Sequence, residues 1–332
     1  MEAYLELEKQ IGSWAGVDNV VACSSGTAAL HLALEAMLLP PGSQVIVPDL
    51  TMIACARAVT LAGLTPVFVD CRNDLLMDVS LGFSIGAHAV MVVHVYGRQC
   101  DMEQVIGLAK SNIYGNDQHE LFVVEDLAEA HGVIPHPDTD AACWSFYKNK
   151  IVGGEEGGAV AFKNPEHARL ARRLRSLGFN DEHDFNHYPR GHNYRMSNAH
   201  AKLIIGSLNY YPVAIQKRRE VERLYEEACP VAWRQPERDV PWVYDLRIRG
   251  MSSEIQDRVV RGSNKEGITA RHCFKPMTRQ LEYREGIPRL VENNADRLSR
   301  EVIYLPIRPG MKRIDCAQPF EIIQSVLGKC SR

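Results

Sequence analysis

The feature that most narrows the fold is a repeated alternation in the first 160 residues. Short apolar, β-branched runs recur: Val45-Ile46-Val47-Pro48, Thr65-Pro66-Val67-Phe68-Val69-Asp70, residues 88–95 and Leu121-Phe122-Val123-Val124-Glu125-Asp126. They are separated by helix-patterned segments at 52–62 and 102–111. Such runs are continuous rather than two-faced, which predicts strands buried on both sides: an α/β fold with a mostly parallel, mixed sheet wrapped by helices. In sheets of this kind ligands sit beyond the carboxyl ends of the strands. Two strand ends carry chemistry. Asn19-Val20-Val21-Ala22-Cys23 runs into Ser24-Ser25-Gly26-Thr27 and an apolar helix, which offers backbone N–H groups and hydroxyls to an anion. A plain helix cap is the alternative reading of the same residues. The other strand end is the carboxylate of Asp126.

A third stretch, residues 143–158, reads as a strand, then a glycine-rich turn with Lys148 and Lys150, then a new strand at 159–162. An ammonium delivered between apolar strands is desolvated, and desolvation favours the neutral amine that attacks carbonyls to form a Schiff base. Two lysines on a solvated loop remain the open alternative. Further along, a helix is predicted at 165–176, a polar aromatic loop at 179–193, and a long helix at 198–227 that Pro212 should kink or break. Beyond Cys229 the texture shifts to shorter elements, which predicts a smaller C-terminal α+β domain. The division is placed at residue 212, giving domains 1–212 and 213–332.

Composition excludes several classes. A net charge of −3 over 332 residues, with no basic aromatic-studded stripe, argues against nucleic acid or an anionic membrane as partner. The most apolar run, 87–97, is too short to span a bilayer. Nine scattered cysteines with no C-x-x-C pair fit reduced thiols in a cytoplasm, and twelve histidines without H-E-x-x-H spacing give no reason to expect a metal. The N-terminus lacks a signal-peptide profile.

Phosphate seat, carboxylate and lysine at strand ends are the parts that pyridoxal 5'-phosphate requires: a helix N-terminus, a partner for the ring nitrogen, and an amine for the aldehyde. The sequence resembles the DegT/DnrJ/EryC1/StrS family of sugar aminotransferases, of the aspartate aminotransferase fold type. The likeness is carried by Ser25-Gly26-Thr27-Ala28-Ala29-Leu30-His31-Leu32-Ala33-Leu34, His94-Val95-Tyr96-Gly97, Glu125-Asp126-Leu127-Ala128-Glu129-Ala130-His131-Gly132, the lysine segment 145–158, Gly191-His192-Asn193-Tyr194-Arg195-Met196 and Phe274-Lys275-Pro276-Met277. The resemblance implies that Lys150, which follows Asn149, carries the cofactor and that Asp126 pairs with the ring nitrogen. It implies that Ser25, Gly26, Thr27 and Ser145 hold the phosphate, and that Glu129 stands near the ring hydroxyl. Asn193 reaches the phosphate of a neighbouring subunit's cofactor, hence a homodimer with shared active sites, and Arg195 shapes that interface or supports it. The implied reaction moves an amino group from glutamate to a keto sugar, best a nucleotide-linked 4-keto-6-deoxy sugar, with aminocyclitols or other secondary-metabolite ketones next.

Three departures stand out. Met52 occupies a position where relatives place an aromatic over the cofactor ring; a thioether can still cover it. Glu155 replaces a frequent glycine, and Met1 begins close to the first helix, ahead of which relatives carry residues that line the substrate site. Dehydratases of the family replace the lysine by histidine, which disfavours that reading; a catalytically silent regulator on the same scaffold is the rival from another class. His94 and His131 read as core or supporting histidines. His187, Tyr188 and His192, and likewise Arg271, His272 and Lys275, read equally as substrate contacts or as solvated surface.

Overall fold

The computed structural model describes residues 2–81, 86–111, 120–179, 185–188, 190–284 and 293–330. Residues 180–184 and 189 of the polar loop lie outside the described residues. The chain runs α1 (Ala3–Ala15), β1 (Val20–Cys23), α2 (Gly26–Ala36), β2 (Gln44–Pro48), α3 (Ile53–Leu61), β3 (Thr65–Val69), β4 (Ala89–Val93), α4 (Met102–Ser111), β5 (Phe122–Asp126), β6 (Ala141–Ser145), β7 (Gly158–Phe162) and α5 (Pro165–Arg175). It continues with α6 (Asn198–Ala228), β8 (Val243–Arg247), α7 (Ser253–Lys265), β9 (Arg271–His272), α8 (Asn294–Glu301), β10 (Val302–Pro306) and α9 (Arg313–Cys330).

Seven strands form one sheet in the order β1-β7-β6-β5-β4-β2-β3. The strands β6, β5, β4, β2 and β3 run parallel, and β7 is antiparallel to both β6 and β1. β1, β4, β6 and β7 carry almost no exposed residue, as continuous apolar runs require of a sheet covered on both faces. This register sets the site. Cys23 at the end of β1 and Ser145 at the end of β6 both pair with Gly158 at the start of β7, and Val93 pairs with Asp126. The chemistry-bearing ends therefore share one edge of the sheet.

A second sheet, β8-β10-β9, is antiparallel and belongs to a smaller core built from Tyr225, Tyr244, Leu246, Val259, Ile303, Leu305, Phe320 and their neighbours. α6 serves both cores: Ala201, Ile204 and Leu208 pack into the large one, Val221 and Tyr225 into the small one. Of the kink or break expected at Pro212, the break does not occur: the helix is continuous from Asn198 to Ala228. Packing at both ends holds the helix across the hydrogen bond that proline removes. The division proposed at 212/213 thus falls inside one continuous helix. Among the described residues no helix is long and apolar enough to cross a membrane.

Candidate active site

The lysine turn is closed by its own backbone. Phe146 N–H donates to Gly157 O at 2.8 Å, Lys148 N–H to Glu155 O at 3.1 Å and Lys150 N–H to Tyr147 O at 2.8 Å. Three neighbours clamp it from outside. Val152 N–H donates to His131 Nδ1 at 3.0 Å, Gly153 N–H to Ser207 Oγ of α6 at 3.0 Å, and Trp242 Nε1 to Asn149 O at 3.0 Å. The clamps give the two lysines different surroundings. The Lys148 side chain is 58% exposed, with Glu155 3.9 Å away and equally solvated, a pairing worth little. Lys150 is only 12% exposed; its Nζ lies 4.0 Å above the Trp242 ring centroid and 3.8 Å from Glu129 Oε1. Burial lowers the Lys150 pKa, against the opposing pull of Glu129 and Asp126. Glu155 sits at φ 64°, in the left-handed region where glycine is cheaper, which explains why glycine suits that position.

Both carboxylates are buried. Asp126 Oδ1 accepts from Ala128 N–H at 3.0 Å, and Oδ2 accepts from the Cys55 thiol at 3.2 Å. Glu129 Oε2 accepts from Tyr96 N–H at 2.9 Å, and burial first, opposed by Lys150, pushes its pKa up to about 7. Tyr96 holds that amide in place from a left-handed backbone, φ 54°, with its ring stacked on Phe274 at 5.3 Å.

The anion seat assembles at the same edge. Ser25 caps α2, its Oγ accepting from Ala28 N–H at 3.1 Å, so the cap reading holds. The cap leaves the amides of Gly26 and Thr27 in the first turn, where no intrahelical acceptor exists, and both residues are partly exposed. A Cβ on Gly26 would stand 2.6 Å from Ser145 Cβ, and one on Gly158 would stand 2.2 Å from Ser25 O. The two glycines let the helix start and two strand ends close into a cradle. This is a fit for pyridoxal phosphate: an amide-lined cradle, a buried carboxylate and an amine with a lowered pKa.

The remaining candidates divide. Met52 precedes α3 and is 51% exposed, one residue past Thr51, whose hydroxyl is 3.4 Å from the Cys55 thiol that donates to Asp126. Asn193 and Arg195 are exposed, while the intervening Tyr194 carbonyl accepts from Ser24 N–H at 2.8 Å beside the cradle. His94 and His131 are fully buried. His94 Nδ1 accepts from Cys100 N–H, so Nε2 donates to Glu125, and burial together with Lys150 lowers the His131 pKa to about 3. His187 accompanies the Leu177 carbonyl at 2.9 Å, and His272 pairs with Asp257 at 2.7 Å on an exposed strand. Trp242 and Cys55 were missed by sequence reasoning. Trp242 reaches the lysine from 92 positions downstream and Cys55 reads as a small core residue, so neither carries a local signal. Tyr96 lay inside a family motif but without an assigned role.

Sheet order, the buried lysine and the carboxylate at the end of β5 define the pyridoxal-phosphate aminotransferase fold. Residues 2–324 match the DegT/DnrJ/EryC1/StrS aminotransferase family, and the chain belongs to it. Aminotransferases of this family use pyridoxal phosphate, and the chain is a transaminase of that kind. The GDP-perosamine synthase of Caulobacter vibrioides is 34% identical over 290 residues, 82% of this chain and 76% of its own length. The UDP-N-acetyl-3-dehydro-alpha-D-glucosamine 3-aminotransferase of Acidithiobacillus ferrooxidans is 28% identical over 339 residues, 97% of this chain and 88% of its own. Among solved structures, S. venezuelae DesV superposes with a TM-score of 0.84 at 27% identity, across 99% of this chain and 90% of that one.

Proposed function

We propose that the chain transfers an amino group from glutamate to the keto carbon of a nucleotide-linked 4-keto-6-deoxy sugar. The observation that carries the reading is the environment of Lys150: an amine held between Trp242, Glu129 and Asp126, with burial favouring its neutral form. The likeness to a GDP-perosamine synthase across four fifths of the chain supports the sugar class. Bound pyridoxal phosphate supplies an electron sink for the carbon from which a proton is removed.

The chain's residues take the other roles. Ser25, Gly26, Thr27 and Ser145 receive the phosphate at the start of α2. Asp126, fixed by Ala128 N–H and Cys55, holds a negative charge for the ring nitrogen, and Glu129 faces the ring hydroxyl. Lys150 Nζ, once free, accepts the substrate proton and returns it. Met52 covers the ring face, and Asn193 serves the cradle of a second copy in a homodimer. On the substrate side, the exposed Arg271, paired in β9 with Tyr304, is the guanidinium assigned to the nucleotide phosphates.

The test loads the protein with pyridoxamine phosphate and offers a panel of nucleotide-linked keto sugars, free keto sugars and keto-cyclitols, following return of the pyridoxal absorbance. A nucleotide-linked 4-keto-6-deoxy sugar should react fastest. Faster reaction with a keto-cyclitol, or none with any sugar nucleotide, would overturn the assignment.

A further inference from the structure

A second cluster of chemistry-bearing side chains lies on the first helix of the sheet edge, apart from the lysine pocket. Among the described residues, one group of His, Cys, Asp and Glu side chains has metal-ligand geometry: His31, Glu35 and His192, whose ligand atoms all lie within 4.8 Å of one another. His31 and Glu35 are one turn apart on α2 and share a face. His192 arrives from the polar loop, its backbone pinned by His192 N–H to Leu174 O at 2.6 Å and Leu177 N–H to His192 O at 2.9 Å. Its Nε2 is 2.6 Å from Glu35 Oε2, and His31 Nε2 is 3.7 Å from Glu35 Oε1.

An ion pair of Glu35 with His192 accounts for those two residues and leaves the third unmatched. His31 is 2% exposed, and its Nε2 is buried with no hydrogen-bond partner. The Leu61 carbonyl also approaches the ring. The other ring nitrogen, Nδ1, lies 3.1 Å from the Tyr194 hydroxyl. The Tyr194 hydroxyl partners Nδ1 in either tautomer, so the ring proton can sit on Nδ1 and leave the Nε2 lone pair facing Glu35, open to a cation.

We propose that His31 Nε2, Glu35 and His192 Nε2 bind a zinc ion that ties the 192–194 segment to α2. Two imidazoles and one carboxylate suit zinc among the common divalent ions. Bond lengths of about 2.0–2.2 Å place tetrahedral ligand atoms about 3.3–3.6 Å apart, so three ligand atoms already within 4.8 Å of one another need shift by only about 1 Å to close on the ion. The Tyr194 contact on Nδ1 is the outer partner that fixes a ligating histidine's ring. The His192 side chain is 26% exposed, which gives the ion a way in and leaves a fourth position to water. The metal is structural: Tyr194 O accepts from Ser24 N–H, so the clamp holds the strand beside the phosphate cradle. Spacing along the chain gave no hint of the site, because His192 joins a helix 157 residues upstream.

The experiment uses the untagged full chain, stripped with a chelator and titrated with zinc chloride, followed by gel filtration and elemental analysis. About one zinc per chain is expected, with affinity at least tenfold weaker in His192→Ala and in the isosteric Glu35→Gln. Circular dichroism confirms that each variant is folded; should His192→Ala fail to fold, Glu35→Gln alone decides. Cobalt substitution should give ligand-field bands without thiolate charge transfer. The proposal falls if the wild-type chain retains no zinc, if the folded variants bind as tightly as wild type, or if cobalt shows the thiolate signature of a cysteine site.

Discussion

Asp126 and Glu129 are three positions apart, both buried, and differ in their partners. Asp126 is met by an amide and a thiol, whereas Glu129 has one amide and a lysine whose own charge burial disfavours. Replacing Asp126 with Asn keeps shape but removes the charge offered to the ring nitrogen. Cofactor binding should persist, while transamination should slow by at least about a hundredfold, about 3 kcal/mol of transition-state stabilisation; wild-type rates would contradict the role. Glu129 makes a pH prediction. Its pKa rises on folding from an ordinary 4.5 to about 7, so the folded chain holds the proton more tightly than the unfolded one. Unfolding free energy attributable to it is therefore full below pH ~4.5 and falls as pH rises to ~7, by at most about 3 kcal/mol. Urea denaturation of cofactor-free protein should show Glu129→Gln gaining on wild type across that window; a pH-independent difference would contradict the assignment.

At the scale of elements, the small sheet is bolted to the catalytic edge by charge as well as by Trp242. Asp245 on β8 accepts from Arg98 at 3.0 Å and from Arg238 at 2.8 Å, all three buried. Burial alone would raise the Asp245 pKa, but the two guanidiniums prevail and lower it. Asp245→Ala leaves both cations buried and short of a partner, and should cost about 3–5 kcal/mol in chemical denaturation; a loss below 1 kcal/mol would show that the network relaxes. The elements themselves were largely legible. Strands β2 to β5 and helices α3, α4 and α5 sit within a residue or two of where periodicity placed them, because buried parallel strands are continuous apolar runs. The ends at Ser25 and Asp126 were legible for the same reason. What escaped were contacts made by folding: the ring of Trp242 under Lys150, the thiol of Cys55 on Asp126, and α6 running through Pro212. No window of sequence contains both partners of such a contact, and a proline rule knows nothing of two cores gripping one helix.

For the whole molecule, the proposed homodimer makes the exposed Asn193 a residue that one copy lends to the other. If Lys150 of one subunit works with Asn193 of the other, mixing Lys150→Ala with Asn193→Ala chains creates heterodimers with one intact site and one doubly damaged site. Activity should then rise toward about half the wild-type value per heterodimer, as subunits exchange. A mixture no more active than the sum of its parents would contradict shared sites.

The central claim is that burial, not sequence adjacency, selects which of two neighbouring lysines is reactive. Incubating the protein with pyridoxal phosphate, reducing with borohydride and mapping the modified peptide by mass spectrometry tests it most directly. The account predicts the adduct on Lys150, retained in Lys148→Ala and absent in Lys150→Ala. An adduct on the solvated Lys148 would contradict it.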